Sequence, residues 1–118
     1  MTLIEFRNLL QETCNNVGHF RALNSDIPRI IYNETGKIYE EFDNNVFSLG
    51  WKVEVHFYTR TEFDPIVEQL ENLFNKNNIG FRLLEIKYGW TEVKANADSN
   101  AVAQNELIYY LFECAVPE

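Results

Sequence analysis

The chain has 118 residues, the length of one domain spanning residues 1–118, and it can bury a core without disulfides or metal. Its 46% hydrophobic and 14% aromatic content describes a packed globular protein and excludes a disordered chain. A formal net charge of -8 makes a poor candidate for wrapping nucleic acid, since phosphate neutralisation needs clustered Lys and Arg; it suits simple solubility, a basic protein partner or a surface that repels DNA.

The opening segment "TLIEFRNLLQETC" reads as a helix. Thr2 and Glu5 form a capping box, and Leu3, Phe6, Leu10 and Thr13 or Cys14 recur on one side with Leu9 beside them. "NNVG" ends it. Pro28 then keeps Ile27 out of the helical region, so "RIIYN" enters as a short strand over residues 29–33. "ETGK" reads as a turn around Gly36, and "IYEEF", residues 38–42, as a second strand. "DNNVFSLG" has turn residues at both ends.

"WKVEVHFY" is the clearest strand. Trp51, Val53, Val55 and Phe57 fall on one face, and Lys52, Glu54, His56 and Tyr58 on the other, the half-buried antiparallel pattern. Asp64 followed by Pro65 marks an N-cap and a first helical position. Ile66, Leu70, Leu73 and Phe74 give that helix an apolar face, and "NNIG" stops it by Gly80. "FRLLEIKYGW" returns as a strand with Leu84, Ile86, Tyr88 and Trp90 on one face and Leu83, Glu85 and Lys87 on the other. Residues 91–105 are polar and Ala/Asn-rich, a long exposed loop or a short helical excursion. The final strand, "ELIYYLFECAV", is apolar on both faces and therefore central.

The expected fold class is α+β. The element order is α-β-β-β-α-β-β, with a mostly antiparallel sheet and two helices packed on one face.

Catalytic chemistry finds little support. There is no G-x-S-x-G, phosphate-cradling glycine loop or H-E-x-x-H, and Cys14, Cys114, His19 and His56 lack metal-ligand spacing. Cys14 and Cys114 read as buried free thiols of a reducing compartment. His56 reads as a structural histidine beside Glu54. Glu40, Glu41 and Asp43 lack calcium-loop spacing and read as a solvated hairpin edge. Glu62 and Asp64 serve the start of the second helix. Trp51 and Trp90 read as core or interface, because no basic patch is interleaved with the aromatic residues. No cofactor, metal or membrane-spanning segment is expected.

The ordered pieces "PRIIY", Asp43–Asn44, "VEVHFYT", Asp64–Pro65 and "YYLFE" resemble small tail-terminator and tail-completion (head–tail joining) proteins of long-tailed phages and prophages of Gram-positive hosts. The resemblance spans most of the chain from Pro28 onward. Two departures stand out: residues 91–105 are longer than the pattern, and "HFYT" has one residue more, as a bulge would supply. The resemblance implies a non-enzymatic virion protein, assembled in the host cytoplasm. Its subunits would form a ring, often hexameric, that caps the tail tube and docks to the head–tail connector protein. Its partners would be itself, the tube and the connector, with no specific nucleic-acid binding and no membrane.

Two polar stretches unexplained by core packing are the expected interfaces: Glu40, Glu41, Asp43, Asn44 and Asn45 in one, and Lys94, Asn96, Asp98 and Asn100 in the other. The alternative from charge alone is an acidic immunity or inhibitor protein that binds a basic toxin. A third reading is a small-ligand pocket in a helix-covered sheet.

Overall fold

A computed structural model describes residues 1–42, 45–91 and 106–118. Helix α1 spans Leu3–Gln11. Its capping box forms as the sequence requires: Thr2 Oγ1 accepts from the Glu5 N–H at 3.1 Å, and Glu5 Oε1 accepts from the Thr2 N–H at 3.1 Å. These bonds hold the Glu5 carboxyl below its ordinary pKa.

The chain then makes a three-residue strand β1, Val17–His19, which lies parallel to the next strand and pairs Val17 with Ile30 and His19 with Tyr32. No sequence pattern announced β1, because three residues are too few to show a period of two. Strand β2 runs unbroken over Arg29–Phe42, so the two short strands expected around a Gly36 turn are one element. Gly36 is absorbed in a register shift between Glu34 and Gly36 against the long strand β3, Asn45–Thr59. A partner of that length pairs both halves of β2, and a one-residue bulge at Thr35 costs less than leaving either half unpaired. The element order is α-β-β-β-α-β-β.

Helix α2 spans Pro65–Lys76. Asp64 is its N-cap: Oδ1 accepts from the Ile66 N–H at 2.9 Å, and Oδ2 accepts from the Thr59 hydroxyl at 2.6 Å. The helix ends in a Schellman motif, with Ile79 N–H bonded to Phe74 O at 2.8 Å and Asn78 N–H to Asn75 O at 3.3 Å. Asn78, at φ 56, takes the left-handed position expected of Gly80, and Gly80 instead starts strand β4, Gly80–Thr91. Strand β5 is Glu106–Pro117.

The sheet order is β1-β2-β3-β5-β4, antiparallel except for β1 with β2. β5 is central, as its two apolar faces required. Both helices cover one face. Phe6 of α1 stacks on Phe74 of α2 with ring centroids 6.2 Å apart, and Phe74 meets Phe112 edge-on at 5.9 Å. Below them Val53, Val55, Phe57, Phe112 and Val116 are fully buried. Each such side chain contributes about 1.5–3 kcal/mol of burial.

Two register expectations are corrected. β4 shifts between Leu83 and Glu85, so Leu83 pairs with Phe112 on the helix side while Glu85 and Lys87 lie on the opposite side. The extra residue of "HFYT" makes no bulge, since Val55 to Thr59 pair in unbroken register with Phe112 to Ile108. Cys14 and Cys114 are buried free thiols, and burial raises both pKa values.

Candidate functional site

The face of the sheet that the helices leave uncovered is a four-by-four array of side chains. Cross-strand register fixes its rows. The first row is Arg29, Tyr58, Tyr109 and Lys87. The second is Ile31, His56, Leu111 and Glu85. Asn33, Glu54, Glu113 and Arg82 form the third, and Gly36, Lys52, Ala115 and Gly80 the fourth. Aromatic and aliphatic side chains fill much of the first two rows, Glu54 and Glu113 occupy the middle of the third, and the cations sit toward the margins.

Hydrogen bonds and ring contacts knit the array. The Arg29 guanidinium lies 4.9 Å from the centroid of the Tyr58 ring, and Tyr58 and Tyr109 approach to 5.1 Å. Arg82 donates to Glu113 at 2.6 Å, and Lys87 lies 3.3 Å from Glu85. His56 Nδ1 is 2.6 Å from the Tyr109 hydroxyl. Burial, with the nearby negative groups Glu85 and Glu54, pushes the Tyr109 pKa up to about 12. Glu54 Oε1, 3.9 Å from His56 Nε2, favours the imidazole proton on Nε2, and in that tautomer Nδ1 accepts from the Tyr109 hydroxyl. Burial lowers the His56 pKa, with Glu54 opposing, so the ring is neutral at pH 7. His56, Tyr58, Glu85, Lys87 and Tyr109 line a shallow hollow of about 310 Å³. Among the described residues, no three His, Cys, Asp or Glu side chains come together as a metal site would need.

A second feature adjoins the array. Beyond the point where Gly50 of β3 meets Pro117 of β5, the β2–β3 hairpin continues as a two-stranded arm. Such a ribbon is marginal in water on its own. It nonetheless exposes large apolar side chains on both sides, with Tyr39 (60% exposed) and Val46 (62%) on one and Phe47 (53%) on the other. At its root Gly50 has φ 150, and a Cβ there would collide with the Val116 carbonyl oxygen. Lys37 lies over the Trp51 ring at 4.6 Å. The opposite end of the sheet carries the turn after β3, where Phe63 is 84% exposed at φ 54.

The expected interface residues fall unevenly on this frame. Glu40 is exposed on the arm opposite Phe47, and Asn45 is exposed at the start of β3. The backbone of Glu41 pairs with Val46. Asp43, Asn44, Lys94, Asn96, Asp98 and Asn100 lie outside the described residues. Sequence reading looked for polar loops and missed the apolar arm. The signal was "VFSLG" beside "IYEEF": two alternating runs with no second apolar run to cover them. Among the described residues no helix is long and apolar enough to cross a membrane. No protein-family model matches the chain, and no curated protein matches it in sequence.

Proposed function

We propose that the chain is a non-enzymatic structural subunit of a phage virion, a tail terminator or tail-completion protein. In this reading its copies form a ring that caps the tail tube and docks to the head–tail connector. The observation that carries it is the projecting arm, a ribbon with apolar side chains on both sides that a partner must cover. The ordered sequence resemblance from Pro28 onward supports the same reading. The overall acidity suits a conduit through which DNA passes without sticking. Light scattering and negative-stain imaging, with and without purified tail tubes and connector, test it. Rings at tube ends are the expected result. A protein that stays monomeric and binds neither tube nor connector overturns it.

A second reading, an acidic inhibitor of a basic toxin, is favoured by Phe63, an aromatic held in solvent in a left-handed conformation that costs about 1–3 kcal/mol. It predicts association with one basic partner that weakens steeply with salt and is lost in Phe63→Ser. Retention of binding in that variant removes this reading.

A further inference from the structure

The charges of this chain are partitioned. The uncovered sheet face holds Arg29, Lys52, Arg82 and Lys87 against Glu54, Glu85 and Glu113. That is four of the chain's ten basic residues and three of its eighteen acidic ones, which leaves six against fifteen elsewhere. The face is slightly basic on a strongly acidic molecule. The arm is its opposite: between Ile38 and Trp51 the sequence carries Glu40, Glu41 and Asp43 and no Lys or Arg. Copies of a protein with net charge -8 repel one another unless their contact joins unlike regions, and the arm and the uncovered face are unlike in charge.

Shape and polarity agree with charge. The first two rows of the array hold an aromatic and aliphatic strip, Ile31, Tyr58, Tyr109 and Leu111, with Arg29 on the β2 margin and Lys87 and Arg82 on the β4 margin, and Glu54 and Glu113 lie beside the strip in the third row. The arm offers Tyr39, Val46, Phe47 and Leu49 together with acidic groups. Lys52 to Tyr58 spans about 20 Å along the strand at ~3.3 Å per residue, and the arm is of similar length. Strand addition at the β4 edge is less suitable. β4 shifts register between Leu83 and Glu85 and again between Lys87 and Trp90, where Gly89 has φ 73, and such bulges blunt an edge against pairing.

We infer that the β2–β3 arm of one copy lies across the uncovered sheet face of a second copy, apolar side chains over Ile31, Tyr58, Tyr109 and Leu111, and Glu40 toward the cationic margin. The contact is head-to-tail: each subunit gives an arm and receives one, so it propagates and closes as a ring when the rotation permits. This rests on the ring reading above and names the surfaces that would build it.

Sedimentation velocity of the full chain tests the inference. The expected result is concentration-dependent association, weakened at least about tenfold between about 0.05 M and about 0.5 M salt. Val46→Ser with Phe47→Ser removes the arm's apolar groups. Arg82→Glu with Lys87→Glu reverses two exposed charges on the face. Each pair of substitutions abolishes association while circular dichroism stays unchanged. Mixed together, the two variants restore one contact, the intact arm of the face variant on the intact face of the arm variant. The mixture forms dimers and nothing larger. Wild-type-like association by either variant, growth of the mixture past dimer, or a wild-type chain that stays monomeric at about 0.5 mM in low salt overturns the inference. A monomer that still caps purified tubes overturns this contact alone and leaves the terminator reading standing.

Discussion

At the scale of single residues, His56 and Asp64 each hold a polar contact that joins two elements. His56 is neutral in the fold because burial disfavours its charged form. Its folded pKa lies below the ordinary value of about 6.5, so the unfolded chain binds more protons as pH falls past that value. The His56 contribution is therefore fully present above pH about 6.5 and is lost as pH falls through the folded pKa. Urea unfolding at a series of pH values between about 7.5 and 5 shows the loss, and His56→Gln flattens that part of the profile. Tyr109→Phe removes the hydroxyl that donates to Nδ1. It costs about 0.5–1.5 kcal/mol, and the His56 imidazole titration measured by NMR moves upward. Asp64 joins the last residue of β3 to the first turn of α2 by accepting from Thr59 and from the Ile66 N–H. Asp64→Ala loses the cap and takes away the acceptor of the buried Thr59 hydroxyl, which keeps only the Thr61 N–H as a partner. The expected loss is about 2 kcal/mol in chemical denaturation, with the burial of the helix face unchanged.

At the scale of elements, two backbone positions make opposite predictions. Asn78 holds the left-handed site of the Schellman motif behind α2, where glycine fits without a Cβ penalty. Asn78→Gly raises stability by up to about 1 kcal/mol, read as a shift of the denaturation midpoint at constant slope. Gly50 cannot accept a side chain. Gly50→Ala drives a methyl group into the Val116 carbonyl, costs about 1–3 kcal/mol, and loosens the root of the arm, which hydrogen exchange at Trp51 and Val116 detects. These elements also show how far the sequence could be read. The capping box at Thr2, the Asp64–Pro65 start and the alternation from Trp51 to Phe57 are local patterns, and each is realised in place. The failures share a cause: β1 exists only because Asn16 to His19 find β2, Gly36 is a bulge only because β3 is long enough to pair through it, and the face of Leu83 is set by a shift against β5. Pairing partners distant in sequence decide these points, and local periodicity does not contain them. The polar stretch around Glu40 was legible as a surface feature. Its apolar neighbours Val46 and Phe47 were not legible as exposed, because exposure depends on where β5 ends.

For the whole molecule, shape is the distinguishing property. Its extents are 63 × 26 × 22 Å and its radius of gyration is 16.5 Å. A compact chain of this length has a radius of about 13.5 Å. The β2–β3 hairpin, which runs on past Gly50 beyond its pairing with β5, contributes to the excess. Replacing residues 38–49 with a two-residue turn leaves the helix-covered body folded, moves the thermal midpoint by no more than a few degrees, and lowers the radius measured by small-angle scattering. A truncated chain that no longer unfolds cooperatively would show that the arm belongs to the folding unit.

The strand order β2-β3-β5-β4 makes the sheet two hairpins joined along one seam, β3 against β5. Each hairpin joins strands that are consecutive in the chain, whereas the seam joins residues such as Val55 and Phe112 that stand far apart in sequence. Loop-closure entropy therefore delays the seam until both hairpins and α2 exist. Truncation of Val55 or Phe112 should then speed unfolding more than it slows folding, with low φ-values. The late-forming seam runs down the middle of the uncovered face, so the surface proposed to receive a second copy is completed in the last step of folding.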